Sequence, residues 1–135
     1  MTTMLRMQPH ALMLIEDDYD LRAGLTELFL AEGYRIVAAE NGLAALEQLR
    51  KGFRPSVIIL DMFMPIMDGW DFRSSQLRDP ELRDIPTVVL TAGGFTAESV
   101  QMQSEKVEFI PKPPSVPALL EIVARLSQQR PSELH

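Results

Sequence analysis

The chain has 135 residues, of which 46% are hydrophobic and 24% are charged, and these fractions are typical of a globular domain. A formal net charge of -6 argues against direct binding to nucleic acids or to anionic membranes as the main activity. The sequence has no cysteine, which excludes disulfides, thiol catalysis and cysteine-ligated metals. Its two histidines, His10 and His135, lie near the ends and do not suggest a catalytic triad.

Short apolar runs alternate with helical patterns along the chain. The predicted strands are 11–15, 35–39, 57–61, 85–90 and 107–110, and helical patterns follow them at 21–32, 43–49, 70–77, 95–106 and 116–126. Asp20 and Ser115 are predicted to cap the first and last helices. The segment 95–106 has few apolar anchors, so a helix there would be short or loosely docked.

This alternation predicts a parallel sheet with right-handed crossovers and helices on both faces. We expect one folded domain over residues 11–128, an N-terminal tail over 1–10 and a polar C-terminal tail over 129–135. The chain shows neither a signal-peptide pattern nor an apolar run long enough to span a bilayer, so the expected location is the cytoplasm, without membrane association.

The run Val57–Leu60 leads directly into a carboxylate, Asp61, and then into a turn rich in proline and glycine. A continuous apolar run of this length is typical of a strand buried on both faces. Asp61 would then lie at the carboxyl end of the strand, where open α/β sheets place their ligands. The residue is either a solvated strand terminator or a reactive group.

Other polar side chains follow the predicted strands at the same edge of the sheet. They are Glu16, Asp17 and Asp18 after the first strand, Thr91 after the fourth, and Lys112 after the fifth. Clustered carboxylates repel one another, and a hard divalent cation such as Mg²⁺ offsets that repulsion. A lysine and a threonine beside the cation suit the oxygens of a transferring phosphoryl group, with Asp61 as the nucleophile.

Each residue has a simpler interpretation when it is taken alone. An acidic loop is commonly a solvated turn, Lys112 could be a surface lysine, and Thr91 could satisfy backbone groups at a strand end. Phe109 could be a half-buried aromatic residue of the fifth strand. The functional interpretation depends on four separate loops that bring complementary groups to one edge.

These motifs, with the 64–69 turn and the Lys112-Pro113 pair, resemble the receiver domains of two-component response regulators over residues 11–128. The resemblance implies a flavodoxin-like (βα)5 doubly wound parallel sheet with strand order 2-1-3-4-5. It also implies a cis peptide bond between Lys112 and Pro113.

The resemblance further implies a role for each matched residue. Asp61 would accept the phosphoryl group, and Asp18, Asp61 and the Phe63 carbonyl would bind Mg²⁺, with Asp17 acting mainly through water. Thr91 and Lys112 would bind the phosphoryl group. Thr91 and Phe109 would form the switch that alters the face made by the fourth helix, the fifth strand and the fifth helix.

The function that follows is phosphorelay signalling, with a sensor histidine kinase or a histidine phosphotransfer protein as the donor and an unknown protein as the target. Such a protein is no enzyme beyond its own phosphorylation and dephosphorylation, and we expect a monomer or a weak dimer through the switch face. Two alternatives stay open: a phosphorylation-independent interaction module, and a receiver fragment of a larger regulator or hybrid kinase.

Overall fold

A computed structural model describes residues 10–62, 66–91 and 107–128. Its centre is a five-stranded sheet formed by β1 (Ala11–Ile15), β2 (Arg35–Ala39), β3 (Val57–Asp61), β4 (Thr87–Thr91) and β5 (Val107–Pro111). Every neighbouring pair is parallel, and the spatial order is β2-β1-β3-β4-β5. The doubly wound fold predicted from the alternating pattern is therefore confirmed.

Four helices are described: α1 (Tyr19–Ala31), α2 (Gly42–Arg50), α3 (Gly69–Arg78) and α4 (Val116–Ser127). The helix here labelled α4 is the fifth helix predicted from the sequence. The predicted fourth helix, residues 95–106, lies outside the described residues, as do 1–9 and 129–135 of the predicted tails. Their prediction stands untested.

A side-chain cap begins each of these helices. The N-cap residues are Asp18, Asn41, Asp68 and Ser115, and each accepts a hydrogen bond from a backbone N–H of the first turn. The prediction that Asp20 caps α1 is wrong, because the helix begins at Tyr19 and Asp20 lies within its first turn. The prediction for Ser115 is confirmed.

Alternate residues of the central strands face opposite layers, as the two-residue period of a strand requires. Ile58 and Leu60 pack with the buried residues of α2 and α3, whereas Val57 and Ile59 pack with those of α1 and α4. All five residues of β3 and all five of β4 are buried. A strand covered on both faces reads as a continuous apolar run, and this explains the pattern that precedes Asp61.

A buried polar network joins α3 to the start of β4. Arg73 is only 1% exposed, and its Nη1 donates hydrogen bonds to Gln76 Oε1 at 2.7 Å and to Thr87 Oγ1 at 3.3 Å. Gln76 Nε2 in turn donates to the carbonyl oxygens of Leu82 and Ile85. Burial lowers the pKa of Arg73 to about 10, so the guanidinium stays charged at neutral pH. The apolar periodicity of α3 does not predict this network.

Replacing Gly69 by alanine should destabilise the fold. The added Cβ would lie 2.6 Å from Met62 Cα and 2.9 Å from the Asp61 carbonyl oxygen. Overpacking of this kind lowers the free energy of unfolding by about 1 to 3 kcal/mol. Urea denaturation measures the change, and an unaltered midpoint would contradict it.

Gly24 is the matched control, since a Cβ added there meets no atom within 4 Å. Gly24→Ala should raise the free energy of unfolding by about 0.5 to 1 kcal/mol, because alanine is the better helix former.

Candidate functional site

The strand register brings the predicted site residues to one edge of the sheet. Asp61 is paired with Leu90, one residue before Thr91, and Thr91 is paired with Pro111, one residue before Lys112. The backbone N–H of Lys112 donates to the Thr91 carbonyl oxygen at 2.6 Å. The carboxyl ends of β1, β3, β4 and β5 therefore lie at the same edge of the sheet.

Three acidic residues at this edge form a cluster. The carboxylate oxygens of Glu16, Asp17 and Asp61 lie within 4.8 Å of one another. Glu16 and Asp61 are buried, at 0% and 2% exposure, whereas Asp17 is exposed. Carboxylates placed this close form the oxygen-rich environment that a hard divalent cation prefers.

Asp18 is not a member of this cluster. Its Oδ1 accepts a hydrogen bond from the Leu21 backbone N–H at 3.2 Å, as the N-cap of α1. The structure thus places Glu16 and Asp17, and not Asp17 and Asp18, beside Asp61. The shift has a simple cause: β1 ends at Ile15 and the helix begins at residue 19, so position 18 caps the helix. The Phe63 carbonyl lies outside the described residues.

Lys112 bridges the two buried carboxylates. Its Nζ lies 3.2 Å from Asp61 Oδ1 and 3.3 Å from Glu16 Oε1. Burial lowers the pKa of Lys112, but the neighbouring Glu16 and Asp61 outweigh that effect, and the net pKa is raised. The lysine is therefore a fixed positive charge. The Lys112-Pro113 peptide bond is cis, as predicted.

The carboxyl group of Glu16 is strongly perturbed by its surroundings. Burial raises its pKa to about 7, and the nearby negative charge of Asp61 adds to the increase. The Asp18 N–H, which donates to Glu16 Oε2 at 3.1 Å, and the ammonium of Lys112 oppose it. Oε1 is buried and its contact among the described residues is the ion pair with Lys112 Nζ at 3.3 Å. Three carboxylates, one ammonium and a buried acceptor oxygen therefore fit a cation at this position.

Backbone contacts with two neighbouring helices hold the loop between β3 and α3. Gly69 N donates to the Met62 carbonyl oxygen at 2.9 Å, and Gly42 N donates to the Met67 carbonyl oxygen at 3.2 Å. A Cβ on Gly42 would lie 2.8 Å from Met67 Cγ, so glycine permits the close approach. These contacts position the chain that follows Asp61.

The two predicted switch residues lie on adjacent strands. Thr91 ends β4 and is 6% exposed, and Phe109 is half-buried on β5, where it packs against the layer formed by α2 and α3. Their positions are compatible with a coupled movement. The switch role stays a prediction.

Comparison with known proteins agrees with this geometry. The family model described as "Response regulator receiver domain" matches residues 12–124, and the chain belongs to this family. The polar-differentiation response regulator DivK of Brucella anthropi is 31% identical, over 85% of this chain and 94% of DivK.

Other curated relatives are longer. The chain is 32% identical to the response regulator MprA of Mycobacterium leprae and 36% identical to FleR of Pseudomonas aeruginosa, over 90% and 84% of this chain. The match spans 53% of MprA and 24% of FleR.

Solved structures show the same fold. The receiver domain of a histidine kinase from Syntrophus aciditrophicus is 29% identical with a TM-score of 0.79, and the alignment covers 88% of this chain and 90% of that one. TrrA from Thermotoga maritima, solved with Mg²⁺ and BeF, is 27% identical with a TM-score of 0.74, and the alignment covers 87% of this chain and 98% of TrrA.

Within residues 10–62, 66–91 and 107–128, no helix has both the length and the hydropathy needed to cross a membrane.

The free energy of unfolding in the presence of a chelator should fall as the pH rises from about 4.5 to about 7 and then level off. In this interval Glu16 keeps its proton in the folded state, where its pKa is about 7, but loses it in the unfolded state, where the pKa is 4.5. Glu16→Gln should remove this contribution, which is about 3 kcal/mol over the whole interval. Urea denaturation across this pH range gives the slope, and an equally steep slope in Glu16→Gln would show that another group is responsible.

Proposed function

We propose that this chain is a phosphorelay receiver in which Asp61 accepts a phosphoryl group from a phosphohistidine of a histidine kinase or a histidine phosphotransfer protein. The observation that carries the proposal is the setting of Asp61, which lies among two further carboxylates with Lys112 Nζ at 3.2 Å. In the transfer, an Asp61 oxygen forms a bond to phosphorus and the bond from phosphorus to the imidazole nitrogen breaks. The similarity to the receiver family supports this reaction over the simpler interpretation of Asp61 as a strand terminator.

The cofactor proposed for the site is Mg²⁺. Asp17 and Asp61 would hold it, with Glu16 beside them, and the Phe63 carbonyl is a further predicted ligand. When bound, Mg²⁺ supplies positive charge that offsets the negative charge of the carboxylates and of the phosphoryl oxygens. The carboxylate oxygens of Glu16, Asp17 and Asp61, one from each residue, lie within 4.8 Å of one another, and this spacing supports a cation at this position.

Lys112 and Thr91 have complementary roles in the proposed reaction. Lys112 contacts Asp61 before transfer, and its ammonium can pair with a phosphoryl oxygen once Asp61 has become an acyl phosphate. The Thr91 hydroxyl can donate to a second phosphoryl oxygen. Since the lysine is charged before the phosphoryl group arrives, little reorganisation is needed during the reaction.

The proposed output is a change in the face made by the predicted fourth helix, β5 and α4. A phosphoryl group adds up to about two negative charges and three acceptor oxygens. If Thr91 moves toward it, Phe109 gains room to turn inward, and the face presented to a protein partner changes. A weak dimer through the same face is part of the proposal.

We propose no catalytic activity beyond the chain's own phosphorylation and dephosphorylation. The proposed location is the cytoplasm, where the catalytic domains of sensor kinases lie. The chain spans most of DivK but about half or less of several other relatives. Its downstream target is therefore proposed only by class, as a protein that binds the switched face.

Asp61→Asn should abolish phosphorylation. Incubation of the wild-type chain with acetyl phosphate and Mg²⁺ should add the mass of one phosphoryl group, and intact-mass spectrometry measures it. Asparagine preserves the size of the side chain but lacks the nucleophilic carboxylate. Equal incorporation in wild type and Asp61→Asn would refute the assignment.

Asp17→Asn should weaken Mg²⁺ binding by about tenfold, equivalent to about 1.4 kcal/mol. Asp18→Asn is the matched control, because asparagine also caps helices and the Asp18 carboxylate is outside the cluster. Isothermal titration calorimetry with MgCl₂ compares the three proteins. If Asp18→Asn loses as much affinity as Asp17→Asn, then the pair predicted from the sequence is the metal-binding pair.

A further inference from the structure

The exposed apolar side chains of the described residues are concentrated at the carboxyl edge of the sheet. The large hydrophobic residues with the greatest exposure are Tyr19 at 70%, Leu30 at 54%, Leu43 at 42%, Ile66 at 76% and Val116 at 44%. Four of these five belong to the first turn of a helix that starts at this edge or to the loop after β3. Leu30 alone lies at the opposite end, near the end of α1.

Ile66 combines exposure with an unfavourable backbone conformation. Its φ is 68°, in the left-handed region, which a β-branched residue rarely adopts. Glycine or asparagine would adopt this conformation at lower cost. Ile66 belongs to neither core cluster, so its side chain does not repay the strain by joining the hydrophobic core.

The contacts of the next residues explain how this conformation is retained. The Met67 carbonyl oxygen accepts a hydrogen bond from Gly42 N, and Asp68 caps α3 through the Asp71 N–H at 3.0 Å. Both contacts lie directly after Ile66, so they fix the chain on the carboxyl-terminal side of this residue. Strain that persists in this way at a reactive edge points to a role in that edge.

We infer that Ile66 is a specificity-determining contact for the protein that donates the phosphoryl group, an inference that rests on the proposed function. The Asp61 side chain is only 3% exposed, so a donor protein must lay its surface over the surrounding loops to bring a phosphohistidine within reach. Tyr19, Leu43 and Val116 lie on other loops or helix starts around the same edge. The matching donor surface carries apolar side chains beside its phosphohistidine, because an apolar anchor is best covered by an apolar pocket.

The inference is tested by comparing two donors. The small donor is acetyl phosphate with Mg²⁺, which does not need to contact Ile66. The protein donor is a purified, phosphorylated histidine phosphotransfer protein from the same organism, chosen because it passes its phosphoryl group to the wild-type chain. The variants are Ile66→Asn, which suits the left-handed backbone, the conservative Ile66→Leu, and Leu30→Asn as an equivalent change at the opposite edge.

Ile66→Asn should slow transfer from the protein donor by about tenfold and leave the acetyl phosphate rate unchanged within about twofold. Its urea midpoint should equal or exceed that of the wild type, which excludes misfolding as the cause. Ile66→Leu should retain most of the transfer rate, and Leu30→Asn should behave like the wild type with both donors.

Two results would overturn the inference: an unchanged transfer rate from the protein donor in Ile66→Asn, or an equal loss with both donors, which would assign Ile66 a role in shaping the loop. Failure of the proposed function gives a different result, because acetyl phosphate would then add no mass to the wild-type chain and no phosphotransfer protein that labels it would be found.

Discussion

Lys112 contacts Asp61 and Glu16 at the carboxyl edge of the sheet, and the geometry of the candidate site depends on this arrangement. Two buried carboxylates at short distance repel each other, and burial weakens the screening that water would provide. The ammonium from the loop after β5 compensates part of that charge and ties together residues that lie 96 positions apart in the chain. The single positive charge of Lys112 does not balance the negative charge of three carboxylates. A site of this kind favours a divalent cation.

Close backbone approach holds Met62 and Met67 in the loop that follows Asp61. Gly42 and Gly69 let two helix starts come within hydrogen-bond distance of Met67 and Met62. A side chain at either glycine would push the loop away from its position, and with it the carboxylate whose placement decides the reaction. The same anchoring leaves Ile66 exposed in an unfavourable conformation. The placement of Asp61 and the strained backbone of Ile66 thus both follow from the same set of contacts.

The opposite end of β4 is stabilised differently. Thr87, at the start of the strand, belongs to the buried network with Arg73 and Gln76, whereas Thr91 ends the strand at the carboxyl edge of the sheet. Hydrogen bonds that satisfy buried polar groups are directional and costly to break, so they hold the start of β4 in register. Local movement at Thr91 is compatible with this arrangement because the strand is fixed at its other end.

The sequence by itself determined the architecture and most of the site. The alternation of apolar runs and helical patterns is sufficient to predict a parallel sheet, and the residues that follow the strands predict which groups meet at its carboxyl edge, including Asp61 and Lys112. Tertiary structure decided what depends on distance and direction. It placed Glu16 with Asp17 in the acidic cluster, because a helix cap uses Asp18, and it buried Arg73 and Gln76, because polar partners from β4 and the preceding loop face them. Periodicity along a chain reports which residues share a face, but hydrogen-bond partners across elements exist only once the chain has folded.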